Sequence, residues 1–222
     1  MIVCPTRELC LQIVKEIEIF KKHMKGVEVV AVYGGASIGM QIRDIKRGVQ
    51  IVVATPGRLI DLIERKAINL SEIKYVVLDE ADEMLNMGFQ DDIEFILQNT
   101  PKKQSTWLFS ATMPPEIQQL ANMLLNNPVK VEVTPVSSTA EMIQQAIYHV
   151  DKNDKQDLLI DILRDKSIET LLVFTQMKHA ADKLAKNLNN AGIRTEAIHG
   201  NKSQNARQNA LSNFKKRKTR VL

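Results

Sequence analysis

Apolar and polar positions follow two rhythms along this chain. Runs dense in Val, Ile and Leu occur at Val27–Tyr33, Ile51–Ala54, Tyr75–Leu78, Thr106–Phe109 and Val129–Val133. They recur at Thr170–Phe174, Thr195–Ile198 and Arg220–Leu222. Between them the apolar residues fall at helical spacing, over Arg7–Lys22, Ile38–Arg47, Leu59–Arg65, Phe89–Gln98 and Pro115–Leu125, then Lys155–Arg164, Ala180–Asn190 and Gln204–Lys215. In the first of these, Leu9, Ile13 and Ile17 recur at i+4 beside Cys10 and Val14, drawing one apolar stripe down a helix. Strands that are apolar at nearly every position suit parallel sheets covered on both faces, so the alternation predicts an α/β fold. Thr134–Glu141 (TPVSSTAE) keeps neither rhythm. The expected organisation is therefore one domain over residues 1–133, a linker at 134–141 and a second domain over 142–222. Met1–Cys4 reads as the second half of a strand and Thr219–Leu222 as the first half of one, as in the middle of a longer protein.

Composition narrows the class. With 222 residues, 44% hydrophobic and 25% charged, the chain is an ordinary globular one, not disordered, collagenous or coiled-coil. No run approaches the roughly 18 apolar residues of a membrane span, and the N-terminus lacks the basic start and apolar stretch of a signal peptide. Cys4 and Cys10 form no CxxC pattern and read as buried apolar side chains in a reducing compartment, which points to the cytoplasm. Residues 1–130 hold 15 Lys/Arg against 16 Asp/Glu and residues 131–222 hold 15 against 10, so −1 and +5 make the net +4. The excess gathers near Lys215-Lys216-Arg217-Lys218, which suits a polyanion or simply a solvated helix end. His23, His149 and His179 lack metal-ligand neighbours, and the Phe residues and Trp107 fall in core-like patterns.

The informative chemistry follows the strands. The first five segments lead into Pro5-Thr6-Arg7, Gly34-Gly35, Thr55-Pro56-Gly57-Arg58, Asp79-Glu80-Ala81-Asp82 and Ser110-Ala111-Thr112. In an open parallel sheet such loops emerge at the carboxyl edge, where ligands bind. Thr6 and Thr55 are placed to cap helices, Pro56 takes a first helical position, and Arg7 and Arg58 add charge beside free N–H groups. Either cluster alone is a good helix start; repeated along one edge, they suit a sugar–phosphate backbone. Gly34-Gly35 and Gly57 leave room for close backbone approach. Asp79 at a strand tip suits an acid that positions hydrated Mg²⁺ beside nucleotide phosphates, with Glu80 to deprotonate a water. The rival reading is three acids in a first helical turn, and the apolar strand before them favours the site. Ser110 and Thr112 either bond that acidic cluster or merely introduce a Pro-started helix.

With these residues assembled, the chain resembles the DEAD-box RNA helicases of superfamily 2. PTREL (Pro5–Leu9), GG, TPGR, DEAD and SAT occur in the family's order. VFTQMKHAADKLA (Val173–Ala185) is similar to its motif IV, and IHGNKSQNARQ (Ile198–Gln208) to its QxxR segment. VEVTPVSSTAE (Val131–Glu141) and HGNKSQNARQ resemble the bacterial RhlE-type subgroup. The resemblance implies two RecA-like parallel-sheet domains, both truncated. It implies ATP and Mg²⁺ as cofactors, with Asp79 holding Mg²⁺ through water and Glu80 as general base. Asp82, Ser110 and Thr112 would couple hydrolysis to domain closure. Pro5, Thr6, Arg7, Gly34, Gly35, Thr55, Gly57 and Arg58 would bind RNA from the first domain, and Thr175, His199, Gly200, Gln204 and Arg207 from the second. No GxxxxGK[ST], Q motif or ATDxAxRGxD and HRxGRxxR motifs occur in the sequence, so negligible ATPase is expected of this chain by itself. Two other readings stand beside it: a non-catalytic nucleic-acid-binding module, and a superfamily 2 DNA translocase.

Overall fold

The computed structural model describes residues 1–133 and 143–222, so the expected linker at 134–141 lies outside the described residues. The chain divides into two compact units, Met1–Lys130 and Val131–Leu222. The first contains β1 (Ile2–Val3), α1 (Arg7–Phe20) and a short 3-10 turn (Lys21–His23), then β2 (Val29–Val32), α2 (Ile38–Lys46), β3 (Ile51–Ala54) and α3 (Pro56–Glu64). It continues with β4 (Tyr75–Leu78), α4 (Ala81–Asn86), α5 (Gln90–Gln98), β5 (Ser105–Leu108) and α6 (Pro115–Leu124). All five strands are parallel, in the order β2-β3-β1-β4-β5.

Alternate residues of each strand feed two apolar layers. On one side Val3, Val30, Val32, Val76 and Leu78 pack with Leu59 and Leu62 of α3, Met84 of α4 and Ile93 and Ile96 of α5. Each fully buried Leu or Ile there stabilises the fold by about 1.5–3 kcal/mol. On the other side Cys4, Cys10 and Val53 are sealed by Leu9, Ile13, Val14 and Ile17, the stripe expected of α1. That helix covers the β2-β3-β1 half. The neighbouring β4-β5 half is open, leaving Tyr75, Trp107 and Phe109 60%, 56% and 51% exposed. Phe20, Phe95 and Phe174 are also exposed, so the expected core placement fails for these three, for Phe109 and for Trp107. Periodicity marks which residues share a face, not whether another element reaches that face.

The second unit holds α7 (Lys155–Ile162), α8 (Lys178–Asn190) and α9 (Gln204–Lys215) around Leu163, Leu188 and Val221. Its three expected strands pair only through isolated parallel bridges, Leu171 to Val221 and Thr195 to Val221. The backbone bonds of Leu171 N–H to Arg220 O and Glu196 N–H to Val221 O place Arg220–Leu222 between the other two segments. The expected strand at Val129–Val133 does not form. Val129, Val131 and Val133 are more than four-fifths exposed, and β-rich composition gives no strand without an edge to pair with. Helix α4, which the apolar spacing did not mark, begins within the acidic cluster.

Candidate nucleic-acid and nucleotide site

The sheet order re-sorts the five loops by chemistry. Across the carboxyl edge they read Gly34-Gly35, Thr55–Arg58, Pro5–Arg7, Asp79–Asp82 and Ser110–Thr112. The glycine and arginine loops therefore occupy one contiguous half (β2-β3-β1) and the acids and hydroxyls the other (β4-β5).

On the basic half, Thr6 Oγ1 accepts from Leu9 N–H at 3.2 Å and caps α1. Thr55 stands at the N-cap of α3 with Pro56 after it, but its hydroxyl makes no cap bond. The expected side-chain cap is not made; Thr55 is held through its backbone, its N–H donating to Val32 O at 2.9 Å and its carbonyl accepting from Leu59 N–H at 3.2 Å. Pro5 is buried at the end of β1. What approaches the glycine pair is Arg7. A Cβ on Gly35 would lie 2.6 Å from Arg7 Nη1, one on Gly34 would lie 3.2 Å from Nη2, and Gly35 has φ +83°. Arg7 makes no ion pair or hydrogen bond among the described residues. Arg58 is tied down: Nη1 donates to Ala36 O and to Gln41 Oε1, each at 3.1 Å, and Nε lies 3.9 Å from Asp61. A Cβ on Gly57 would meet nothing within 4 Å.

On the acidic half, Asp79 Oδ1 accepts from Glu80 N–H at 3.1 Å, while Asp79 N–H donates to Val3 O. Glu80 adopts a left-handed backbone, φ 53° and ψ 52°, which costs a non-glycine residue about 1–3 kcal/mol. It is held there by Ala81 N–H bonding Phe109 O and Met84 N–H bonding Glu80 O, each at 3.0 Å. Desolvation, then the charges of Asp79, Glu83 and Asp82, raise the pKa of Glu80. Asp82 is 7% exposed, and its Oδ2 accepts from Thr112 Oγ1 at 2.7 Å and Thr112 N–H at 3.0 Å. Ser110 Oγ donates to Thr112 O at 2.6 Å, closing the turn. Burial pushes the Asp82 pKa up, but the bonds from Thr112, with the Ser110 hydroxyl nearby, hold it below the ordinary carboxylate value. Of the two readings open for Thr112, a bond to the acids is the one realised. Among the described residues no cluster of three or more His, Cys, Asp or Glu could hold a metal directly. Two adjacent strand-tip carboxylates instead suit hydrated Mg²⁺, which prefers oxygen and keeps several waters.

In the second unit, Thr175 is exposed and donates to Met177 O at 3.2 Å where α8 begins. Thr175 and His199 line one cavity of about 250 Å³. His199 Nε2 lies 3.1 Å from Asp182 Oδ2, and Lys202 Nζ lies 2.8 Å from Asp182 Oδ1. Hydrogen bonds from Lys202 and then His199 lower the Asp182 pKa. Lys178 Nζ donates to Asn201 Oδ1 at 3.1 Å, and a Cβ on Gly200 would stand 3.7 Å from that Nζ. Helix α8 thus fastens the His199-Gly200 loop. Gln204 is buried in the first turn of α9 and Arg207 is half-buried one turn on, outside the Thr175–His199 cavity.

Sequence reasoning passed over Gln41 and Asp182. Gln41 had a legible signal, since it interrupts the inward stripe of Ile38, Ile42 and Ile45 with an amide. Asp182 had none, because its partners are 17 and 20 residues away in an otherwise solvated helix face.

The DEAD/DEAH box helicase family model matches residues 1–120. The chain belongs to the DEAD/DEAH box helicase family. The helicase conserved C-terminal domain model matches residues 154–222 of this DEAD/DEAH box helicase chain. The chain is 44% identical over 223 residues to the RNA helicase CrhR of Synechocystis sp., covering 100% of itself and 45% of that protein. It is 43% identical over 222 residues to the DEAD-box ATP-dependent RNA helicase CshA of Bacillus subtilis, again covering 100% and 45%. The chain thus spans less than half the length of these curated relatives. A crystal structure of a DEAD box protein from the hyperthermophile Methanococcus jannaschii aligns with TM-score 0.56 at 39% identity, over 100% of this chain and 60% of that one. That neighbour accords with an α/β fold built on parallel sheet. Among the described residues no helix is long and apolar enough to cross a membrane.

Proposed function

We propose that this chain carries the RNA-gripping and hydrolysis-coupling part of an ATP-dependent RNA helicase. The observation that carries the reading is the sorting of loops along one sheet edge, cationic and glycine-rich on β2-β3-β1, acidic and hydroxylic on β4-β5. Pro5, Thr6, Arg7, Gly34, Gly35, Thr55, Gly57 and Arg58 meet the sugar–phosphate strand. Thr175, His199, Gly200, Gln204 and Arg207 meet it from the second unit, with residues 134–141 joining domains 1–133 and 142–222. Asp79 would hold Mg²⁺ through water, and Glu80, with its raised pKa, is suited to take a proton from the attacking water. Bound MgATP supplies the scissile phosphoanhydride. Asp82, through Thr112 and Ser110, passes the state of that half to its neighbour strand. The parent protein is cytoplasmic and of the RhlE-type subgroup, a placement that rests on the segments at 131–141 and 199–208.

The chain by itself has negligible ATPase, because Glu80 is present without a GxxxxGK[ST] lysine or an arginine finger, and losing the finger alone costs about 10³–10⁵ in related NTPases. Single-turnover hydrolysis with and without RNA tests this; robust RNA-stimulated turnover would refute it. Binding of labelled single-stranded RNA is expected to be weak, salt-dependent and lowered by Arg7→Ala. Binding indifferent to salt and to Arg7 would remove the strand-gripping role, and competition with matched DNA reports on the 2′-OH.

Gly57 gives a separate test. An added Cβ has open space around it, and alanine is favoured over glycine in a helix by up to about 1 kcal/mol. Gly57→Ala is expected to raise the urea midpoint slightly and yet weaken RNA binding several-fold. Unchanged binding would show that no ligand backbone comes close to this turn.

A further inference from the structure

Resting on that strand-gripping reading, we propose that Gln41 is a positioning residue that binds both arginine sites to one glycine turn. Its side chain is buried, 6% exposed, with both ends of its amide in use. Nε2 donates to Tyr33 O at 3.0 Å, at the end of β2, and Oε1 accepts from Arg58 Nη1 at 3.1 Å. The same Nη1 donates to Ala36 O, immediately beyond the glycine pair on which Arg7 rests. Tyr33, Gly34, Gly35 and Ala36 are thus held at one end by Gln41 and at the other by Arg58, with the Arg7 guanidinium lying close to the glycine pair between them. Among the described residues Arg58 Nη2 makes no hydrogen bond, so occupying Nη1 leaves one amine for an anion.

The residue type follows from the partners. A neutral amide donates to a carbonyl from one atom and accepts from a guanidinium on another without adding charge. Glutamate keeps the Arg58 partner but sets an oxygen against Tyr33 O and cancels the cation. Methionine fills the volume, leaves Tyr33 O unmet and leaves Arg58 Nη1 with Ala36 O alone, a cost that falls on the turn and on the orientation of Arg58. Gln41 touches no reacting atom; it acts through Arg58 and the turn. The ligand is a strand whose consecutive phosphates meet the two cations together.

The test uses the 222-residue chain and fluorescein-labelled oligouridylate, read by fluorescence anisotropy across a salt series. Gln41→Met is expected to weaken binding about tenfold and to reduce the slope of log K against log salt by about one, as when one fewer phosphate is neutralised. Gln41→Glu, which preserves the Arg58 pair, is expected to lower the slope equally. A purely structural residue would shift the melting temperature and leave the slope unchanged. Wild-type slopes in both variants would overturn the inference while the strand-gripping reading stood. Absence of salt-dependent binding by the unaltered chain would overturn that reading, and this inference with it.

Discussion

Gly35→Val is expected to cut RNA binding by tenfold or more while the sheet stays folded. Two independent costs meet at this position. The backbone sits at φ +83°, where a left-handed conformation costs an L-residue roughly 1–2 kcal/mol and a β-branched one more. The new Cβ would also lie 2.6 Å from Arg7 Nη1, so the guanidinium must leave the turn. Neither cost falls on the core itself, where Leu59, Leu62, Ile93 and Ile96 are fully buried. Urea denaturation should therefore show a loss of about 1–3 kcal/mol with an unchanged m-value. Adding Arg7→Ala to Gly35→Val should weaken binding little further, because both changes remove the same interaction. Additive losses would show that Arg7 and the turn act separately.

Asp82→Ala is expected to be the most destabilising single change on the acidic half. It removes the acceptor of two bonds from Thr112, each charge-assisted and worth roughly 1.5–3 kcal/mol. Part of that is offset, since among the described residues Asp82 Oδ1 is buried without a partner, and its desolvation disappears with the side chain. A net loss of about 2–3 kcal/mol follows, whereas Asp82→Asn keeps a carbonyl for Thr112 and should lose less. The pH dependence has a definite sign. The folded pKa of Asp82 is depressed, so its stabilisation is present above the ordinary carboxylate range and is lost as pH falls through the lowered value. Glu80 runs the other way: its pKa is raised, so its contribution is intact at low pH and is lost as pH rises through the raised value. Urea midpoints measured from about pH 2 to 6 should fall less steeply at the acid end in Asp82→Asn than in wild type. Identical acid limbs would exclude Asp82 as the titrating group.

The sequence made much of this edge legible, for physical reasons that differ between its parts. Strands β2, β3 and β4 announce themselves because buried parallel strands need apolar residues at nearly every position. The residues that follow them are then placed by topology alone. Helix α1 was readable to within two residues from Leu9, Ile13 and Ile17 and the Thr6 cap. What escaped was whatever depends on a partner distant in sequence. Val129–Val133 has strand chemistry without a neighbour, and Trp107 has core chemistry without a cover. Thr55 does stand at an N-cap, but its hydroxyl makes no cap bond there. Nor could spacing show that Arg7 rests on Gly35, 28 positions on, or that Arg58 is shared between Ala36 and Gln41. Those links arise only once the order β2-β3-β1 sets the loops side by side.

Trp107 is the one tryptophan in the chain, and its register partner Val77 stands two residues before Asp79. More than half exposed on the open flank of β4 and β5, it is a built-in optical probe of that flank. Its emission should shift to the blue and resist acrylamide quenching whenever another element or molecule settles there, with no label added to the protein.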